Sequence, residues 1–151
     1  MSKKTIGFLL VWLLAPMTVF AADKPQELSL NLAKMIAVKA ALCGQKHGLK
    51  FSIAIVNSEG NLIYFQREDG TYVGSINSSI EKAKSANAYE RPTAEFSKNM
   101  REGKIGVLSG AGVVAIEGGW PLTLSGRHVG AIGVSGAKAI EDERCAKQAF
   151  E

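Results

Sequence analysis

The chain has 151 residues, with 18 Lys and Arg against 14 Asp and Glu, two cysteines and two histidines. That length fits one domain, and 46% hydrophobic with 21% charged residues excludes a wholly disordered chain. Two cysteines exclude a four-thiolate zinc site. A site of two thiolates and two imidazoles would need every Cys and His, none of them in paired spacing.

The first 21 residues read as a cleaved signal peptide. Lys3 and Lys4 form a positive start, and Ile6 to Leu14 is a short apolar run. Pro16 and Thr18 break that run, and Val19-Phe20-Ala21 offers small residues at the −3 and −1 positions, so cleavage is expected after Ala21. The run is short of the roughly 20 residues that span a bilayer. A single domain over residues 22–151 then follows, expected to be periplasmic or secreted. Losing Lys3 and Lys4 leaves 16 cations against 14 anions, a net charge of +2. In an oxidising compartment Cys43 and Cys145 are candidates for a disulfide. It would close a loop of about 100 residues, worth about 4.7 kcal/mol in the chain-entropy model. The competing reading is two buried free thiols, which pack as small apolar groups.

Ser29 is a candidate N-cap for a helix with Leu30, Ala33, Ile36, Ala37, Ala40 and Ala41 at helical spacing, ended by Gly44 or Gly48. Phe51 to Val56 alternates as a half-buried strand with Phe51, Ile53 and Ile55 on one face. Ser58 to Asn61 is a turn, and Leu62 to Gln66 the partner strand. Ser75 then caps a second helix carrying Ile76, Ile80 and Ala83, which Pro92 stops. Thr93 caps a third helix reaching about Met100. Three strands follow, Gly112–Glu117, Pro121–Leu124 and Val129–Ser135, with Ser125-Gly126 as the tight turn between the last two. A final helix opens at Ser135 or Gly136, with Glu141, Asp142 and Glu143 in its first turns. The expected order is α-β-β-α-α-β-β-β-α, an α+β fold in which helices pack on an antiparallel sheet.

The chain lacks the common catalytic signatures. Gly103 to Gly112 is glycine-rich but is neither a Walker A loop nor a dinucleotide fingerprint, and reads as a flexible loop over a sheet edge, covering a pocket. No serine sits in a Gly-x-Ser-x-Gly turn. His47 falls at a helix end and His128 at a hairpin turn, where it is expected to be exposed; imidazole serves widely as an axial ligand of haem, so both are candidates for that role. Met35 and Met100 are weaker candidates, and no Cys-x-x-Cys-His motif exists for covalent haem. Lys82 and Lys84 are two apart and face different ways on their helix. Basic residues form no stripe and are not interleaved with aromatics, which argues against nucleic acid.

Arg67-Glu68-Asp69-Gly70, Gly74-Ser75-Ile76, Lys82-Ala83-Lys84 and Arg91-Pro92-Thr93 occur in that order. Gly118-Gly119-Trp120-Pro121-Leu122, Gly130 to Gly136 and Asp142-Glu143 follow them. Over about Leu28 to Phe150 this ordered set resembles the GlcG/HbpS-like family of small haem-binding and haem-degrading proteins. The resemblance implies a profilin-like sandwich and assembly into homo-oligomers. It also implies haem, or another small ligand, bound near the Arg-Pro-Thr segment, with Thr93 in the position of a haem-contacting threonine. Some members occur beside membrane sensors. One departure stands out: no Asp or Glu has a Glu three positions later, so the acid-x-x-Glu iron motif of some exported members is absent.

Thr93 at a helix start offers a hydroxyl and free backbone N–H groups to a carboxylate or propionate. Arg91 and Arg67 are expected to pair with such an anion, and Lys82 to add charge. The competing reading of Arg91-Pro92-Thr93 is a helix stop followed by a helix cap. Three functions stay open at this level. They are an exported protein holding haem or a related carboxylated molecule, an enzyme degrading haem or acting on a small carboxylated metabolite, and an accessory partner of a membrane sensor.

Overall fold

A computed structural model of the protein describes residues 27–151. The expected signal peptide, residues 1–21, lies outside the described residues. Four helices, α1 (Leu30–Gln45), α2 (Gly74–Tyr89), α3 (Thr93–Arg101) and α4 (Ala139–Gln148), surround four strands. The strands β1 (Ser52–Asn57), β2 (Leu62–Arg67), β3 (Gly119–Leu124) and β4 (Arg127–Ser135) form one antiparallel sheet in the order β2-β1-β4-β3. The α+β class and the helix-on-sheet architecture therefore stand as the sequence led one to expect.

Local chemistry explains most boundaries. The Ser29 hydroxyl accepts from the Leu32 N–H and starts α1. Gly48 takes a positive φ of 66° just past its end, as a left-handed helix terminus favours. Ser125 and Gly126, at φ 50° and 77°, make the two-residue turn that joins β3 to β4.

The sheet is covered on both faces, which corrects the expected half-buried first strand. Phe51, Ile53 and Ile55 do share one face, with Ile132, Val134 and Leu122, beneath Ala33, Ile36, Ala37 and Ala40 of α1 and Cys145, Ala146 and Ala149 of α4. The opposite side of β1, Ala54 and Val56, is buried as well, with Ala131, under Ala83 and Ala86 of α2. Small residues there let α2 lie close: a Cβ on Gly133 would collide with the Ser79 carbonyl. The buried face of α2 accordingly carries Ser75, Ser79, Lys82, Ala83 and Ala86, while Ile76 and Ile80 are only partly covered. Cys43 and Cys145 are joined in a disulfide that ties α1 to α4 on the other side of the sheet.

Three further expectations are corrected. Residues 112–117 form no strand, so the order is α-β-β-α-α-β-β-α. That stretch is held by side chains instead of a ladder: the Val114 N–H donates to Ser85 Oγ, and just before the stretch the Tyr89 hydroxyl donates to the Ala111 carbonyl. The helix expected to open on a Ser75 cap begins one residue earlier without a side-chain cap, because the Ser75 hydroxyl bonds to the Tyr72 carbonyl and to Ser52. The last helix opens at Ala139 and not at Ser135 or Gly136, since both still belong to or adjoin β4.

Candidate functional site

The four residues expected to gather around one anion occupy three different settings. Thr93 is fully buried, and it begins α3 without capping it; the N-cap is Pro92. Its hydroxyl accepts from the Gly119 N–H at 2.9 Å and so fastens α3 to the start of β3. Lys82 is also buried, with Nζ 2.9 Å from Asp142 Oδ2 and 3.0 Å from the Val134 carbonyl. Arg67 ends the edge strand β2 and spends its guanidinium on the Thr71 carbonyl. Arg91 is exposed at the start of α3, above the Phe96 ring and loosely paired with Glu95 at 3.9 Å. Thr93 and Lys82 are thus neighbours, since a Cβ on Gly119 would strike both the Lys82 carbonyl and the Thr93 methyl. Among the described residues no side-chain hydrogen bond or ion pair joins Arg67 or Arg91 to them.

Around Lys82 lies a set of carboxylates that sequence reasoning assigned only to a helix terminus. Asp142 also accepts from the Ala137 N–H, and Glu143 accepts from the Gly118 N–H at 2.7 Å. Burial raises the Asp142 carboxyl above its ordinary range, against the opposing pull of Lys82. Glu143 is raised as well, by burial first and by the nearby Glu117, while its bond from Gly118 works the other way. Gly118 has φ 123°, and a Cβ there would meet the Val134 carbonyl, Asp142 and Lys82. Only glycine fits beside this buried knot. The signal available in the sequence was the Gly118-Gly119 pair followed 23 residues later by Asp142-Glu143, but nothing local links them.

Residues 102–118 connect α3 to β3 with a 3₁₀ turn at Ile105–Ser109. This loop presents large apolar side chains to solvent: Ile105 is 69% exposed, Leu108 51%, Ile116 51% and Met100, on the adjoining α3, 39%. The loop is held to α3 at both ends. The Lys104 N–H donates to the Asn99 carbonyl, and Glu117 accepts from Ser97 and Arg101 at 2.9 and 2.6 Å. Burial alone would raise Glu117; the bonds from Arg101 and Ser97 and from the backbone outweigh it and hold the carboxyl below its usual value. Lys98, Arg101 and Lys104 lie on α3 and the start of the loop, paired with Glu102 or Glu117. A loop this long without a strand of its own is a common carrier of binding function, and an exposed apolar patch rimmed by charge suits a flat apolar ligand with anionic substituents.

The two histidines lie elsewhere. His47 is exposed just beyond α1, beside Lys138 and Glu141. His128, expected to be exposed, is half-buried, with Nε2 2.7 Å from Asn87 Oδ1. Met35 is exposed on α1. Among the described residues no three His, Cys, Asp or Glu side chains converge as a metal site, and no helix is long and apolar enough to cross a membrane.

A four-stranded antiparallel sheet clamped between α2 and the α1–α4 pair, with a long loop feeding its edge strand, defines a small α+β sandwich protein. Residues 28–151 match the family described as haem degrading protein HbpS-like, and the chain belongs to that family. Escherichia coli GlcG is 30% identical over 108 residues, covering 72% of this chain and 81% of GlcG. The crystal structure of a double mutant of HbpS from Streptomyces reticuli superposes with a TM-score of 0.76 at 29% identity, covering 90% of this chain and 94% of HbpS. PduOC, solved as a haem complex, shares the fold with a TM-score of 0.74 at 23% identity, over 83% of this chain and 94% of its own.

Proposed function

We propose that this protein is an exported, self-associating protein that binds haem on the face formed by α3 and the 102–118 loop. The observation that carries the reading is the exposed apolar set Met100, Ile105, Leu108 and Ile116 beside loosely paired cations. A porphyrin needs apolar surface for its ring and positive charge for its propionates. Arg91 and Lys98 suit the propionates, being exposed and at the long end of ion pairing, 3.9 and 4.0 Å from their carboxylates. Thr93 and Lys82 support the face from inside, by fixing where α3 and β3 meet. The haem-related names of the family and of PduOC agree with this reading. The outward face of α1 supports self-association: Met35, Val38 and Leu42 recur at i, i+3 and i+7 and are all about half exposed.

Titrating the protein with hemin tests the proposal. A Soret band that saturates near one haem per chain is expected. The double variant Ile105→Ser, Leu108→Ser should weaken binding at least about tenfold while leaving the melting temperature unchanged, because neither side chain contributes to the core. Unsaturable binding, or equal binding by the variant, removes haem from this face. Bleaching of the Soret band when ascorbate and oxygen are added would mark the protein as a haem-degrading enzyme instead of a carrier.

A further inference from the structure

At the end of the sheet where both hairpins turn, the ladder is broken twice. Ile55 pairs with Tyr64 and Val56 with Leu62, so Ile63 has no partner across the strand. Leu122 pairs with Gly130 and Thr123 with His128, which leaves Val129 unpaired. Both are β-bulges, features that re-aim neighbouring side chains and recur beside binding sites. Ile63 and Val129 line the same cavity of about 500 Å³, together with Leu28. That volume lies within the range of small-molecule sites.

The polar part of the wall is arranged and incompletely satisfied. Asn87 donates through Nδ2 to the Ser58 carbonyl, which turns its Oδ1 toward His128 Nε2. The imidazole is thereby fixed with Nε2 as donor. Its Nδ1 lies out of contact with solvent and meets no hydrogen-bond partner among the described residues. A buried unpaired nitrogen is uncommon in a folded protein. Arg127 lines the cavity too, as do Glu27 and Glu59. None of the three charges has an ion-pair partner among the described residues.

We propose that this cavity binds a free amino acid with an apolar side chain. Arg127 would take the carboxylate as a two-pronged donor. Glu27 and Glu59 would face the ammonium group. Leu28, Ile63 and Val129 would cover the side chain. A simple carboxylate leaves the two glutamates unmatched, and a simple amine leaves the arginine unmatched, so the zwitterion is the preferred partner. The site lies on other elements than the haem face, and the two readings stand or fall separately.

Calorimetric titration of the protein with L-leucine, 4-methylpentanoate and isopentylamine tests this, because the two analogues lack the ammonium or the carboxylate. L-leucine is expected to saturate at one per chain, with each analogue at least about tenfold weaker. Arg127→Ala, at an exposed turn position, should reduce L-leucine affinity by at least about tenfold and leave hemin uptake unchanged. No saturable L-leucine binding in the millimolar range overturns the proposal. So does equal binding of either analogue, or unchanged binding in Arg127→Ala.

Discussion

Two regions that meet at Gly118 and Gly119 handle polarity in opposite ways. On the interior side, Lys82, Asp142 and Glu143 are charged and buried, and each is hydrogen-bonded to a partner or to the backbone. On the loop side, Met100, Ile105, Leu108 and Ile116 are apolar and exposed, and nothing among the described residues covers them. Burying charge is costly unless every group is matched, and here the matching is internal: the partners are Val134 of β4, Asp142 of α4, and the backbone N–H groups of Ala137 and Gly118. That marks it as a structural device. Exposing apolar surface is also unfavourable, and the loop offers no internal compensation, which is why a ligand is sought there and not at Lys82. Charge alone is thus a poor guide to where a protein binds its partner; whether the charge is already answered is the better one.

The contrast is sharpest at the ion pair. Lys82→Ala or Asp142→Ala alone should cost about 3–5 kcal/mol, because each strands a buried partner. The double variant Lys82→Met, Asp142→Leu should recover most of that loss, since an apolar pair of similar volume can replace a buried ion pair at little cost. Chemical denaturation of the three variants measures this, and additive losses would show that the pair is not coupled. Next in size is the clamp on the same helix. Reducing the Cys43–Cys145 disulfide, or replacing both cysteines by alanine, should lower stability by about 2–5 kcal/mol, read as a fall in melting temperature with reductant. The loop variants described above should change stability least.

A smaller effect than either the ion pair or the disulfide is expected in the pH dependence. Asp142 and Glu143 sit above their ordinary values, so the contribution tied to their protonation is present at low pH and fades as pH rises through their native values. Glu117 lies below its ordinary value, so its contribution is present near neutrality and is lost as pH falls through its native value. Glu143→Gln should therefore remove part of the decline in stability from mildly acidic to neutral pH, and Glu117→Gln part of the decline into acid. Stability curves parallel to that of the unaltered protein would contradict both assignments.

Patterns confined to one element were legible in the sequence. The Ser29 cap, the alanine face of α1, the Ser125-Gly126 turn and the Pro92 stop each depend on a few neighbouring residues, and each is found in place. Residues 112–117 read as a strand because Val113 to Ile116 is a short apolar run, yet Ser85 and Arg101 capture the stretch from other elements, and Tyr89 holds Ala111 just before it. Arg91 stands exposed, as an anion-binding residue must, but Thr93 and Lys82 turned inward toward partners 26 and 60 residues away.

The sequence by itself determined the element order apart from one strand, the cysteine pair able to bridge, and a family resemblance spread along the chain. Periodicity and capping act over one or two helical turns, which is why they can be read locally. Tertiary structure decided which side of β1 is covered, that Lys82 pairs with Asp142, and that the glycine-rich loop turns its apolar residues outward. Those outcomes depend on which groups meet after the sheet has formed, and on the cost of leaving any buried charge or backbone group unmatched.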